Sequence, residues 1–233
     1  MPYEIIKLPN RKFSVINKIS RHNFSPKGIT KAMAVKQMRA LYLHARELEG
    51  GSQNGTTLEG GATPYEAMSD TDLHKYFPHA RIVKYSELPH DVPAENFLKK
   101  TGDIVYILYE STFNSGHWVA LARGPSSFFY YDSYGNKPGV PLTWNSDETN
   151  KELHQDRPTL VKMLAMSKLP VYYNDYPYQS KKDTDVATCG RWATAFLVHF
   201  KKYKGDLKSF KTETLKRAKG RDLDEFISKV VEE

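Results

Sequence analysis

The stretch IVYILYESTFNSGHWVALARGPSSFFYYDSY, residues 104–134, decides how the rest of this chain is read. Within it IVYILYE (104–110), HWVALAR (117–123) and SFFYYDSY (127–134) are dense in β-branched and aromatic residues. They are divided by Asn-Ser-Gly and Gly-Pro-Ser-Ser, so they read as adjacent strands of one sheet. Upstream, a short helix near 70–77 precedes a strand in ARIVKY (80–85). Downstream, a helix over 158–166 opens on a proline and leads to a strand in PVYYND (170–175). TCGRWATAFLVHFKKY (188–203) is apolar on nearly every side for two turns, which predicts a buried central helix with Thr188 as its N-cap. The pattern predicts an α/β (α+β) domain over 64–233, with that helix packed on a mixed or antiparallel sheet.

The N-terminal part is different in kind. Residues 1–49 read as a small module of two short strands, YEIIKL and KFSVINKI, and a helix over 30–49. Met38, Leu41, Tyr42, Ala45 and Leu48 form one apolar stripe of that helix, beside Lys31, Lys36, Arg39 and Arg46. This module holds ten Lys/Arg against three Asp/Glu, so it carries the whole net charge of +7 and the other 184 residues balance to zero. A basic run at 201–221 offers a second positive face. Residues 50–63 are Gly-rich and without periodicity, a linker between the two parts.

Composition narrows the function classes. A hydrophobic content of 39% across 233 residues suits a packed globule rather than a solvated linker protein. No apolar run near the start is long enough for a signal peptide or membrane span, so a cytoplasmic or nuclear setting without secretion or membrane partners is expected. A lone cysteine excludes an internal disulfide and a cysteine zinc cluster. His74 and His79 lack companion ligands, and the linker lacks the Lys-Ser/Thr ending of a phosphate loop, so neither a metal nor a nucleotide cofactor is expected.

Four residues carry chemistry. Cys189 falls in the first turn of the central helix, where backbone N–H groups and the helix dipole favour the thiolate. A lone cysteine is also commonly a small buried hydrophobe, yet Gly190 beside it leaves room for a substrate carbonyl. His117 opens one strand and Asp132 ends its neighbour, so both emerge at one sheet edge. A carboxylate directly after Phe-Phe-Tyr-Tyr is costly unless paired, and fixing one tautomer of His117 pairs it; capping the turn DSYG is the alternative. Gln179, on the loop returning to Cys189, supplies an amide that, with the Cys189 backbone N–H, can bind an oxyanion.

Set as GHWVAL, YYDSYG, YQ and TCGRWA, residues 104–200 resemble the cysteine proteases related to the adenovirus maturation protease and the SUMO-specific Ulp proteases. The interval from Gln179 to Cys189 is longer than that family's. The resemblance implies a papain-like fold and a His117, Asp132, Gln179, Cys189 thiol endopeptidase, with Trp118 lining a narrow groove that admits Gly-Gly. It also implies a viral maturation protease of virophage, polinton-like or giant-virus type, acting on capsid precursors in the virion and host cytoplasm or nucleus. DNA or a peptide can serve such enzymes as activator, and the basic module suits non-specific DNA; its sequence also looks like a small module of large DNA viruses and virophages. Leu-Glu-Gly-Gly occurs twice, at 48–51 and 58–61, which makes Gly51 and Gly61 candidate self-cleavage sites; a helix C-cap followed by a flexible linker is the other reading. Removal of ubiquitin or a related modifier, acetyl transfer, and a non-catalytic DNA-binding or scaffold role are the competing functions.

Overall fold

The protein is described from a computed structural model over residues 3–17, 23–25, 27–31, 33–34, 67–180 and 187–231. The helix expected over 30–49 falls mostly outside these residues, as do the linker and with it Gly51 and Gly61. Strands β1 (Tyr3–Lys7) and β2 (Phe13–Asn17) pair antiparallel. Ala34 and Val15 are buried together beneath them, with Ile5, Phe13 and Ile29 alongside. An exposed ion pair between Lys27 and Glu148 links this module to the remainder; such surface pairs add little stability.

The larger part is a five-stranded sheet in the order β3-β4-β5-β6-β7. The strands are β3 (Arg81–Lys84), β4 (Ile104–Thr112), β5 (Ser115–Arg123), β6 (Phe128–Tyr131) and β7 (Val171–Tyr173). The central pairs β4/β5 and β5/β6 are antiparallel and the outer pairs β3/β4 and β6/β7 parallel, so the sheet is mixed. Helices α1 (Asp70–Tyr76), α2 (Ala94–Phe97), α3 (Asp147–Glu152), α4 (Thr159–Ala165), α5 (Cys189–Tyr203), α6 (Leu207–Ala218) and α7 (Leu223–Val230) surround it. The α+β architecture with α5 at its centre matches the expectation.

Period-two alternation sorts the core into two layers. Tyr106, Leu108, Trp118, Ala120 and Tyr131 face α5, where Trp192, Ala193, Phe196 and Leu197 are fully buried. Val105, Ile107, Val119, Leu121 and Tyr130 face the other way, onto Leu160 and Met163 of α4. Small Ala120 and Ala122 admit the bulk of α5 against the sheet, and Phe196 stacks on Tyr131 with centroids 4.9 Å apart. No helix of the described residues is long and apolar enough to cross a membrane.

Two local expectations change. Asn-Ser-Gly is not the turn between β4 and β5: Ser115 and Gly116 are already in β5, and Asn114 turns the chain with φ +59°. Gly116 instead lies opposite Glu110 so closely that a Cβ there would stand 1.9 Å from the Tyr109 carbonyl oxygen. Thr188 does sit at the N-cap of α5, but its hydroxyl makes no capping bond and turns away to Asp224.

Candidate active site

The antiparallel register of β5 and β6 pairs Ala120 with Tyr131, which sets the start of β5 beside the residues just past β6. His117 and Asp132 therefore meet at one end of the sheet, and His117 Nε2 lies 3.0 Å from Asp132 Oδ1. Asp132 is fully buried. Its Oδ1 also accepts the Tyr134 N–H at 2.8 Å, and its Oδ2 accepts from the Asn136 amide at 3.3 Å. The carboxylate thus both braces the DSYG turn and holds the imidazole, so the two alternatives for this residue coexist. Asn174, just past β7, brackets the Asp132 backbone: its Oδ1 accepts the Asp132 N–H at 2.9 Å and its amide donates to the Asp132 carbonyl at 2.7 Å.

With Nε2 committed to Asp132, the remaining ring nitrogen serves Cys189, to which His117 is hydrogen-bonded. The ring is walled by aromatics: Tyr134 stacks on it with centroids 5.1 Å apart, and Trp144 meets it edge-on at 5.0 Å. Burial opposes charging the imidazole, but the Asp132 carboxylate and its hydrogen bond, joined by the Cys189 sulfur, outweigh it and push the His117 pKa up to about 9. Burial likewise opposes the Cys189 thiolate. The hydrogen bond and charge of His117, together with the Trp118 and Gly190 backbone N–H groups directed at the sulfur, turn the balance and lower the thiol. Both shifts favour a thiolate beside an imidazolium, which is a nucleophile matched to a proton donor.

Gln179 is buried as well. Its Oε1 accepts the Ser133 hydroxyl at 2.8 Å, and the Tyr178 and Gln179 N–H groups both donate to the Ser133 carbonyl, at 2.8 and 3.0 Å. Neighbouring residues on one turn thus divide the work: Asp132 orients the imidazole and Ser133 orients the amide. The long interval between Gln179 and Cys189 is gripped at both ends by Asp224 of α7, which accepts the Ser180 N–H at 2.7 Å and the Thr188 hydroxyl.

Trp118 packs in the same cluster as Cys189, and its indole N–H donates to the Met68 carbonyl at 2.9 Å. The space that Gly190 leaves is not open. A Cβ there would lie 2.9 Å from Met68 Cβ and 3.3 Å from Trp118 Cδ1, so the missing side chain lets Met68 and Trp118 close over the helix start. Sequence reading passed over Met68, Ser133, Tyr134, Trp144, Asn174 and Asp224. Only Ser133 and Tyr134, inside the quoted DSYG turn, and Asn174, at a strand end, stood beside a recognised signal. Among the described residues no group of three His, Cys, Asp or Glu is placed to hold a metal ion.

Fold and site together define an α+β protein whose central helix opens on a thiol hydrogen-bonded to a carboxylate-backed imidazole. No protein-family profile matches the chain. It belongs to the family of the uncharacterized protein V9 of Sputnik virophage: the two are 31% identical over 153 residues, covering 62% of this chain and 86% of the virophage protein.

Proposed function

We propose that this protein is a thiol endopeptidase that cleaves after Gly-Gly in apolar-x-Gly-Gly sequences and processes capsid precursors during virion maturation. The observation that carries the reading is the ordered contact from Cys189 through His117 to the fully buried Asp132. In the reaction the Cys189 thiolate attacks the scissile carbonyl carbon, and the negative charge moves to the carbonyl oxygen. The Cys189 backbone N–H and the Gln179 amide stabilise that oxygen, an arrangement worth about 3 kcal/mol per donor in related chemistry. His117 gives its proton to the leaving amine as the C–N bond breaks, leaving a thioester on Cys189. It then takes a proton from water, whose oxygen attacks the thioester carbon; the C–S bond breaks, releasing the carboxylic acid and restoring the Cys189 thiolate beside the His117 imidazolium. The resemblance to the adenovirus and Ulp-type proteases supports the Gly-Gly preference, and the relationship to a virophage protein supports the viral setting.

The basic module would hold the precursor on packaged DNA through sequence-independent, salt-sensitive contacts. Self-cleavage after Gly51 and Gly61 would release it. Intact mass of wild type and Cys189→Ala after incubation tests this: loss of residues 1–51 or 1–61 in wild type alone supports thiol proteolysis and the Gly-Gly preference together. Wild type and variant both inert toward Gly-Gly peptides, with and without DNA, would overturn the reading. Cleavage only of a full-length ubiquitin-like modifier, never of short peptides, would reassign the same chemistry to an isopeptidase.

A further inference from the structure

Asp224 lies in the first turn of α7, remote in sequence from the four residues of the site, and is almost fully buried. Its carboxylate gathers three donors. Oδ2 accepts the Ser180 N–H at 2.7 Å, while Oδ1 accepts the Thr188 hydroxyl and, at 3.4 Å, the Trp192 indole N–H. Ser180 follows Gln179 directly and Thr188 directly precedes Cys189, so one side chain joins the segment after Gln179 to the segment before Cys189. Trp192, one turn into α5, fixes the same helix from within the core. A buried carboxylate is costly where packing alone is needed, because an apolar side chain would fill the space without desolvating a charge. Burial still pushes the Asp224 carboxyl above its ordinary range, and the donors that offset part of that cost belong to the segments flanking Gln179 and Cys189.

We infer that Asp224 is a positioning residue for the oxyanion half of the site, setting the Gln179 amide and the first N–H groups of α5 in register with each other. The inference rests on the thiol-peptidase reading. The imidazole is held separately, from β5 and the turn after β6, by Asp132. Oxyanion donors are effective in a narrow window, about 2.7–3.1 Å from the transition-state oxygen, and a displacement of about 1 Å from a supporting residue costs on the order of a hundredfold in rate.

The test compares full-length wild type with Asp224→Asn and Thr188→Val, the latter removing one donor while keeping its shape. Turnover of a Leu-Glu-Gly-Gly-aminocoumarin peptide is measured beside the pH profile of Cys189 alkylation by iodoacetamide, a displacement that develops no oxyanion. The expected result is a fall in kcat of about tenfold or more with KM and the alkylation profile as in wild type, smaller for Thr188→Val than for Asp224→Asn. Unchanged kcat in both variants overturns the inference and leaves the peptidase reading standing. So does a parallel loss of turnover and alkylation that tracks the loss of folded protein, since Asp224 would then serve the fold alone. A wild type that is alkylated but cleaves no Gly-Gly peptide overturns the peptidase reading, and the inference with it. If Asp224→Asn does not fold, Thr188→Val decides by the same split.

Discussion

Cys189 and His117 share a burial that would disfavour each charge alone, and their contacts with each other and, for His117, with Asp132 reverse it. The thiolate forms below the ordinary range of a free thiol, and the imidazolium persists until about pH 9. Alkylation of Cys189 by iodoacetamide is therefore expected to continue on the acid side of a free cysteine, and His117→Ala should shift its profile to higher pH. On the proposed peptidase reading, which requires thiolate and imidazolium together, turnover should rise through the Cys189 transition and fall as His117 deprotonates near pH 9. A peptidase rate still climbing above pH 10 would contradict this pairing. Asp132→Asn keeps the hydrogen-bonded shape but removes the charge that holds the tautomer, and a loss on the order of a thousandfold in kcat is expected. Cys189 opens α5 and Asp132 directly follows β6, positions legible in the chain, whereas His117 is the third residue of β5 rather than its first. Trp144 and Met68 were not legible, since a ring or carbonyl brought in by a loop leaves no periodic trace.

The β4/β5 hairpin and α5 are the elements on which the site depends. Gly116 allows β5 to approach the Tyr109 carbonyl, and Gly116→Ala forces the two strands apart beside His117. It should destabilise the protein by about 2 kcal/mol, as overpacking does, and reduce turnover by more than the folded fraction falls; chemical denaturation read beside activity checks both. Phe196, fully buried against Tyr131 and Phe210, anchors α5 to the sheet. Phe196→Ala should cost about 3–5 kcal/mol and lower the melting temperature by roughly 10 °C. Strand and helix positions followed from alternation and apolar density. β5 starts two residues before the strand that the sequence predicts, because glycine marks both turns and close backbone approach, and sequence alone does not separate the two.

At the scale of the whole molecule, charge and chemistry are segregated: the net +7 resides in residues 1–49, and the thiol site lies in the balanced remainder. Affinity for DNA is expected to drop steeply between low and physiological salt, and removal of residues 1–61 should weaken it by about tenfold or more at fixed salt, as filter binding will show. An equal affinity after truncation would transfer the role to the basic run at 201–221. The order of the five sheet strands and the buried α5 could be read from local pattern, because alternation and apolar density are recorded residue by residue. Which strand pairs run parallel, the closure of Met68 and Trp118 over Gly190, the hold of Ser133 on Gln179 and that of Asp224 on Ser180 and Thr188 could not. They join segments far apart in the chain, and such contacts are selected by packing and by the need to pair buried polar groups, neither of which leaves a mark in any one stretch.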